Sequence, residues 1–160
     1  MDTPVMPDGR ELDAWVAEHV LGWKWFQAPM YDANGPLPEQ GKVLVPPDLI
    51  PKVDSGEYQW PPNGLIAGYA FLYGGRETAY STNTEADYRV LCAVRNTWKP
   101  KEFEKFYHSL WWTWTSRQDK DQKATKRDIS SGWGAMPTYY EPGDYAKAAW
   151  QALNREGLYG

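Results

Sequence analysis

The sequence predicts an α+β fold in which three main helices pack on a mainly antiparallel sheet. Three observations predict it. Residues 80–98 carry apolar side chains at helical spacing behind a clear start signal. Residues 106–115 alternate with the two-residue period of a strand and are rich in Trp, Tyr and Thr. Residues 144–156 form another helical stripe, preceded by Pro142-Gly143 and stopped by Gly157. At 160 residues, the span 1–160 is expected to be a single domain.

Residues 1–8 read as a loose arm. Asp8 can cap a first helix over 10–21, with Leu12, Trp15, Val16, His19 and Val20 on its apolar side and Gly22 as its stop. His19 has no cluster of partner residues and reads as a structural histidine. Residues 24–79 form a Pro/Gly-rich insertion with short strands. Pro29, Pro36, Pro38, Pro46, Pro47, Pro51, Pro61 and Pro62 forbid long helices or central strands there. Strand candidates are 42–45, which an extended loop fits as well, and 65–73. Irregular stretches of this length often carry function.

In the helix over 80–98, Ser81 or Thr82 is the expected N-cap, and Thr82 with Glu85 has capping-box spacing. Ala86, Val90, Ala93, Val94 and Trp98 share one side, while Asp87 and Arg95 are expected to face elsewhere. Residues 100–106 fit a short helix as well as the start of the strand. Residues 117–128 mix both charges without an apolar stripe, as a solvated hairpin loop would. Residues 129–136 then return as an antiparallel strand. In the last helix Asp144 is the expected cap, and Tyr145, Ala148, Ala149, Ala152 and Leu153 make an alanine-dominated face that can pack closely.

A formal charge of −4 argues against a duplex-binding protein, which needs a basic face. The single cysteine, Cys92, excludes an intrachain disulfide and suits a reducing compartment. The acidic, Pro-broken residues 1–8 do not resemble a secretion signal. No apolar run approaches the ~20 residues that cross a bilayer. A soluble intracellular protein is expected, with no membrane partner. Ten Trp and eleven Tyr exceed what a core of this size hides completely. Some should face a ligand or another subunit, and a homo-oligomer with pockets between subunits is one expectation.

No zinc pattern, no Gly-x-Ser-x-Gly elbow and no Gly-x-x-x-x-Gly-Lys phosphate loop occurs, so neither an enzyme nor a metal or cofactor is expected. Ligand binding is the sharper reading. Ser81, Thr82 and Asn83 stand at a helix start, where amides and dipole favour a phosphate, and Arg76 is close in sequence. Trp60, Trp112, Trp114 and Trp133 are candidates to stack a base, and Arg117, Lys126 and Arg127 to add charge. Helix capping and core packing account for the same residues without any ligand.

Four pieces of the chain resemble the phage ABA-sandwich domain, a family of small bacteriophage and prophage proteins. Residues 11–18 with Gly22-Trp23 look like its first helix and the Gly-Trp that ends it. Val45-Pro46-Pro47-Asp48 looks like its Pro-Pro loop. Tyr80-Ser81-Thr82 opens its central helix, and residues 145–158 stand where its C-terminal helix does. The resemblance covers about half the chain; residues 49–79 are longer than is usual in the family. It implies a helix/sheet/helix sandwich and a phage protein acting in the cytoplasm of the infected bacterial host. Small phage proteins without catalytic motifs are often counter-defence factors. The expectation is a protein that sequesters a small nucleotide-type immune signal without cleaving it. The alternative is a non-enzymatic protein-binding inhibitor or assembly module acting through an exposed Trp/Tyr surface.

Overall fold

The structure is a computed structural model that describes residues 5–7, 9–66, 71–72, 76–117 and 140–154, the last three residues of 76–117 as backbone alone. In chain order the elements are α1 (Gly9–His19), β1 (Lys24–Ala28), β2 (Met30–Asp32), β3 (Gly35–Pro36), β4 (Gly41–Val45), α2 (Ile50–Asp54), β5 (Leu65–Ile66), a 3-10 turn (Arg76–Thr78), α3 (Thr84–Thr97), α4 (Pro100–Arg117) and α5 (Asp144–Asn154). β1 pairs antiparallel with β4, from Lys24 opposite Val45 to Ala28 opposite Gly41. β2 pairs antiparallel with β3 and parallel with β5. The fold is therefore α+β with small antiparallel and mixed sheets. No helix among the described residues is long and apolar enough to cross a membrane.

The helices meet around α5, which packs against α4, α3 and α1. Seven of its eleven residues are buried, including Tyr145, Ala146, Ala148, Ala149, Trp150 and Ala152. Alanine on several sides lets three helices approach a single axis, which a one-sided stripe does not allow. Leu153, expected on the packed face, is instead 46% exposed. The main core joins Leu12, Val16, Val90, Val94, Phe106, Leu110, Trp114 and Tyr145, with Leu44 reaching in from β4. Val43 and Val45 point to the other side of β4 and build a second core with Ala28 and Met30. The two-residue period of the strand thus links both cores.

Three sequence expectations change. Residues 106–115 lie within helix α4, not a strand. Phe106, Leu110 and Trp114 recur every four residues and are all buried. Aromatics at most positions satisfy either period, so the start signal decides. Pro100 takes the first helical position, and Glu102 Oε2 accepts the Lys99 N–H at 3.2 Å, half of a capping box. There are consequently four helices of eleven residues or more among the described residues, not three. Second, α3 begins at Thr84 and is capped by Asn83, whose Oδ1 accepts the Ala86 N–H at 3.0 Å; neither Ser81 nor Thr82 is the cap. Third, Asp87 does not face away but is fully buried.

Other expectations are met in part. α1 buries Leu12, Val16 and Val20 as expected, but Asp13 and Ala17 join them while His19 lies exposed, its ring 4.9 Å from Trp15. β4 realises the strand at 42–45. Of the strand at 65–73, β5 and a parallel bridge from Phe71 to Leu44 are seen. The expected hairpin over 117–128, beyond the end of α4, and the strand at 129–136 lie outside the described residues.

Two glycines separate backbone cost from crowding. Gly143, just before α5, has φ +96°, and a Cβ there would sit 2.5 Å from the Ser81 carbonyl oxygen. Gly56, after α2, has φ +81° with nothing within 4 Å of such a Cβ. Gly56→Ala is expected to cost about 1–2 kcal/mol, the left-handed backbone alone. Gly143→Ala should cost at least about 3 kcal/mol, because the α3 approach and the α5 start must also part. Urea denaturation of the two variants measures the difference; equal costs would show that the contact with Ser81 relaxes freely.

Candidate functional site

A cleft of about 480 Å³ opens where the end of α1, the loop after β4, the 3-10 turn and α3 come together. Local structure puts each wall in place. Gly22, at φ +82°, ends α1, and the Trp23 N–H returns to the Ala17 carbonyl at 2.9 Å. Trp23 then stands edge-on to Phe71, with centroids 5.4 Å apart. β4 ends at Pro46, which has no N–H for a ladder. The following Pro47 lies beside Gly22, its Cγ 3.6 Å from where a Cβ would be. Asp48, Glu77 and Thr78 complete the opposite rim, with Tyr80 and Arg89.

An ion pair between exposed Arg10 and buried Asp13 positions Tyr80. Arg10 on α1 bonds Asp13 Oδ2 at 2.9 Å and donates to the Thr78 carbonyl and Oγ1, both at 3.2 Å. Its guanidinium carbon lies 4.5 Å over the Phe71 ring. Asp13 Oδ1 accepts the Ser81 N–H at 2.7 Å. One Arg–Asp unit thus holds the chain on both sides of Tyr80. Tyr80 is 3% exposed, and among the described residues its hydroxyl has no hydrogen-bond partner. Burial pushes its phenol up to about 12, although neighbouring Arg89 pulls it down. The phenol therefore stays a proton donor at neutral pH. Arg89 is exposed and has no ion-pair partner among the described residues. A buried O–H and a neighbouring unpaired guanidinium suit an anion, and Trp23 with Pro46 and Pro47 offers flat apolar surface for a ring.

The candidates named from sequence are dispersed. Arg76 is exposed in the 3-10 turn, and Thr82 is exposed before α3. Ser81 spends its N–H on Asp13, and its hydroxyl donates to the Gly9 carbonyl at 3.2 Å. Asn83 caps α3. Trp60 sits against the second core, edge-on to Tyr58 at 5.0 Å. Trp112 is 57% exposed on α4 beside Trp111. Trp114 is buried and donates to Asp144 Oδ2 at 2.9 Å. Arg117 is the last residue of α4, and Trp133, Lys126 and Arg127 lie outside the described residues. None of the nine cleft residues was named from sequence as a ligand contact. Trp23, Pro46, Pro47, Asp48 and Tyr80 belong to the pieces that carried the family resemblance, so the Gly-Trp, Pro-Pro and Tyr-Ser-Thr segments were the signal, while Leu21, Glu77, Thr78 and Arg89 carried none.

The start of α5 is already occupied by the chain's own carboxyl groups. Asp87 Oδ2 accepts the N–H groups of Gly143 at 3.0 Å and Tyr145 at 3.1 Å, and Oδ1 accepts that of Ala146 at 2.9 Å. The Tyr140 hydroxyl donates to Oδ2 as well. Asp144 Oδ2 accepts the Glu141 N–H at 2.9 Å. This helix start is therefore closed to an external phosphate. No group of His, Cys, Asp and Glu able to hold a metal occurs among the described residues.

Comparison with protein-family models, with curated proteins and with solved structures found no match.

Proposed function

We propose that the chain is a bacteriophage accessory protein that binds a small nucleotide-type immune signal in the Trp23–Tyr80–Arg89 cleft and holds it without cleaving it. The observation that carries this reading is the buried Tyr80 hydroxyl beside Arg89, neither with a hydrogen-bond or ion-pair partner among the described residues, in a cleft walled by Trp23. The volume lies within the ~300–1,000 Å³ of small-molecule sites. The likeness to the phage ABA-sandwich family, with its helix/sheet/helix layering, supports a place in the cytoplasm of the infected host.

Calorimetry with cyclic mononucleotides and dinucleotides tests the proposal, with heat release and chromatography to recover the ligand intact. Trp23→Ala and Arg89→Ala should each weaken binding at least about tenfold, the scale of one lost stacking or charged contact. No binding by the unaltered chain, or full binding by both variants, defeats it. A second reading has its own observation. Exposed Trp112 adjoining Trp111 on α4 would serve a protein-binding inhibitor or a homo-oligomer. Loss of a captured host protein, or of self-association, on Trp112→Ala would favour that reading.

A further inference from the structure

Resting on the reading of this cleft as a nucleotide site, we infer that its ligand bears a single negative charge and an amino-substituted ring. Among the described residues the lining supplies one cation, Arg89, against two carboxylates, Asp48 and Glu77. Both carboxylates are exposed and have no ion-pair partner among the described residues. One phosphodiester is matched by Arg89 and the Tyr80 O–H. A second or third phosphate charge finds no cation among these side chains and is repelled by Asp48 and Glu77. The carboxylates are acceptors only, so the ring they favour presents N–H donors, as an exocyclic amine does and a carbonyl does not. Trp23 supplies the stacking face. This assigns the charge class and ring edge of the ligand, which the aromatic wall alone leaves open.

Four probes at fixed ionic strength separate these terms: cyclic adenosine monophosphate, cyclic purine-riboside monophosphate, adenosine monophosphate and adenosine triphosphate. The cyclic adenosine compound should bind at least tenfold more tightly than the triphosphate, and several-fold more tightly than its purine-riboside counterpart, whose ring edge has no N–H donor. The monophosphate should fall between the cyclic adenosine compound and the triphosphate. In the double variant Asp48→Asn, Glu77→Gln, both exposed positions, the gap to the triphosphate should close by at least tenfold. Equal affinity for all four probes, or a gap unchanged in the double variant, overturns the inference while leaving a nucleotide site standing. Failure of all four to bind overturns the inference and the nucleotide reading together.

Discussion

Asp87→Ala is expected to destabilise the chain by at least about 4 kcal/mol, the largest effect of any single substitution considered for this fold. The side chain is completely buried and receives three backbone N–H groups from the start of α5 and the Tyr140 hydroxyl. Alanine leaves these donors facing a dry cavity. Each buried donor without a partner costs about 1–3 kcal/mol, and water entering the void recovers only part of that. At this chain length, 4 kcal/mol lowers the melting temperature by roughly 8–16 °C. Thermal unfolding followed by circular dichroism reads it. A fall under about 3 °C would mean that α5 keeps its place without the carboxylate.

The same group should make stability depend on pH. Burial raises the Asp87 carboxyl from its ordinary 3.8 to about 7, outweighing the hydrogen bonds from Tyr140, Ala146, Tyr145 and Gly143, which lower it. The folded chain then binds this proton more tightly than the unfolded chain. Its stabilising contribution is complete below 3.8 and lost as pH rises through about 7. Urea midpoints should therefore fall between pH 5 and pH 8, and Asp87→Asn, which cannot titrate, should flatten the decline. A midpoint that rises over this range in the unaltered chain would show that the four donors hold the carboxylate ionised.

The uneven legibility of this fold follows from which contacts are local. α1, α3 and α5 were readable because apolar spacing, Gly22 and the residues around Pro142-Gly143 act within a turn or two of the helix they shape. The stretch 106–115 was misread because Trp, Tyr and Phe occupy so many positions that a period of two and a period of 3.6 both find support. Asp87 could not be read: a carboxylate within a helix looks solvent-facing, and its partners lie 53–59 residues further on. Ser81 looked free to bind phosphate because Asp13, which takes its N–H, stands 68 residues earlier. The landmarks of the cleft, Trp23, Pro46, Pro47 and Tyr80, were visible as short segments. That they face one another depends on the Arg10–Asp13 clamp, and Arg89 carried no signal of its own.

The position of α5 has a consequence for synthesis. A helix that serves as common partner to α1, α3 and α4 is also the last described element to leave the ribosome. Until residues 144–154 emerge, the three earlier helices have apolar faces with no shared axis to close upon, and Asp87 has no amides to receive. Completion of the main core is thus deferred until that helix has emerged. The apolar faces of α1, α3 and α4 therefore stay uncovered longer than in a chain whose hub is made first.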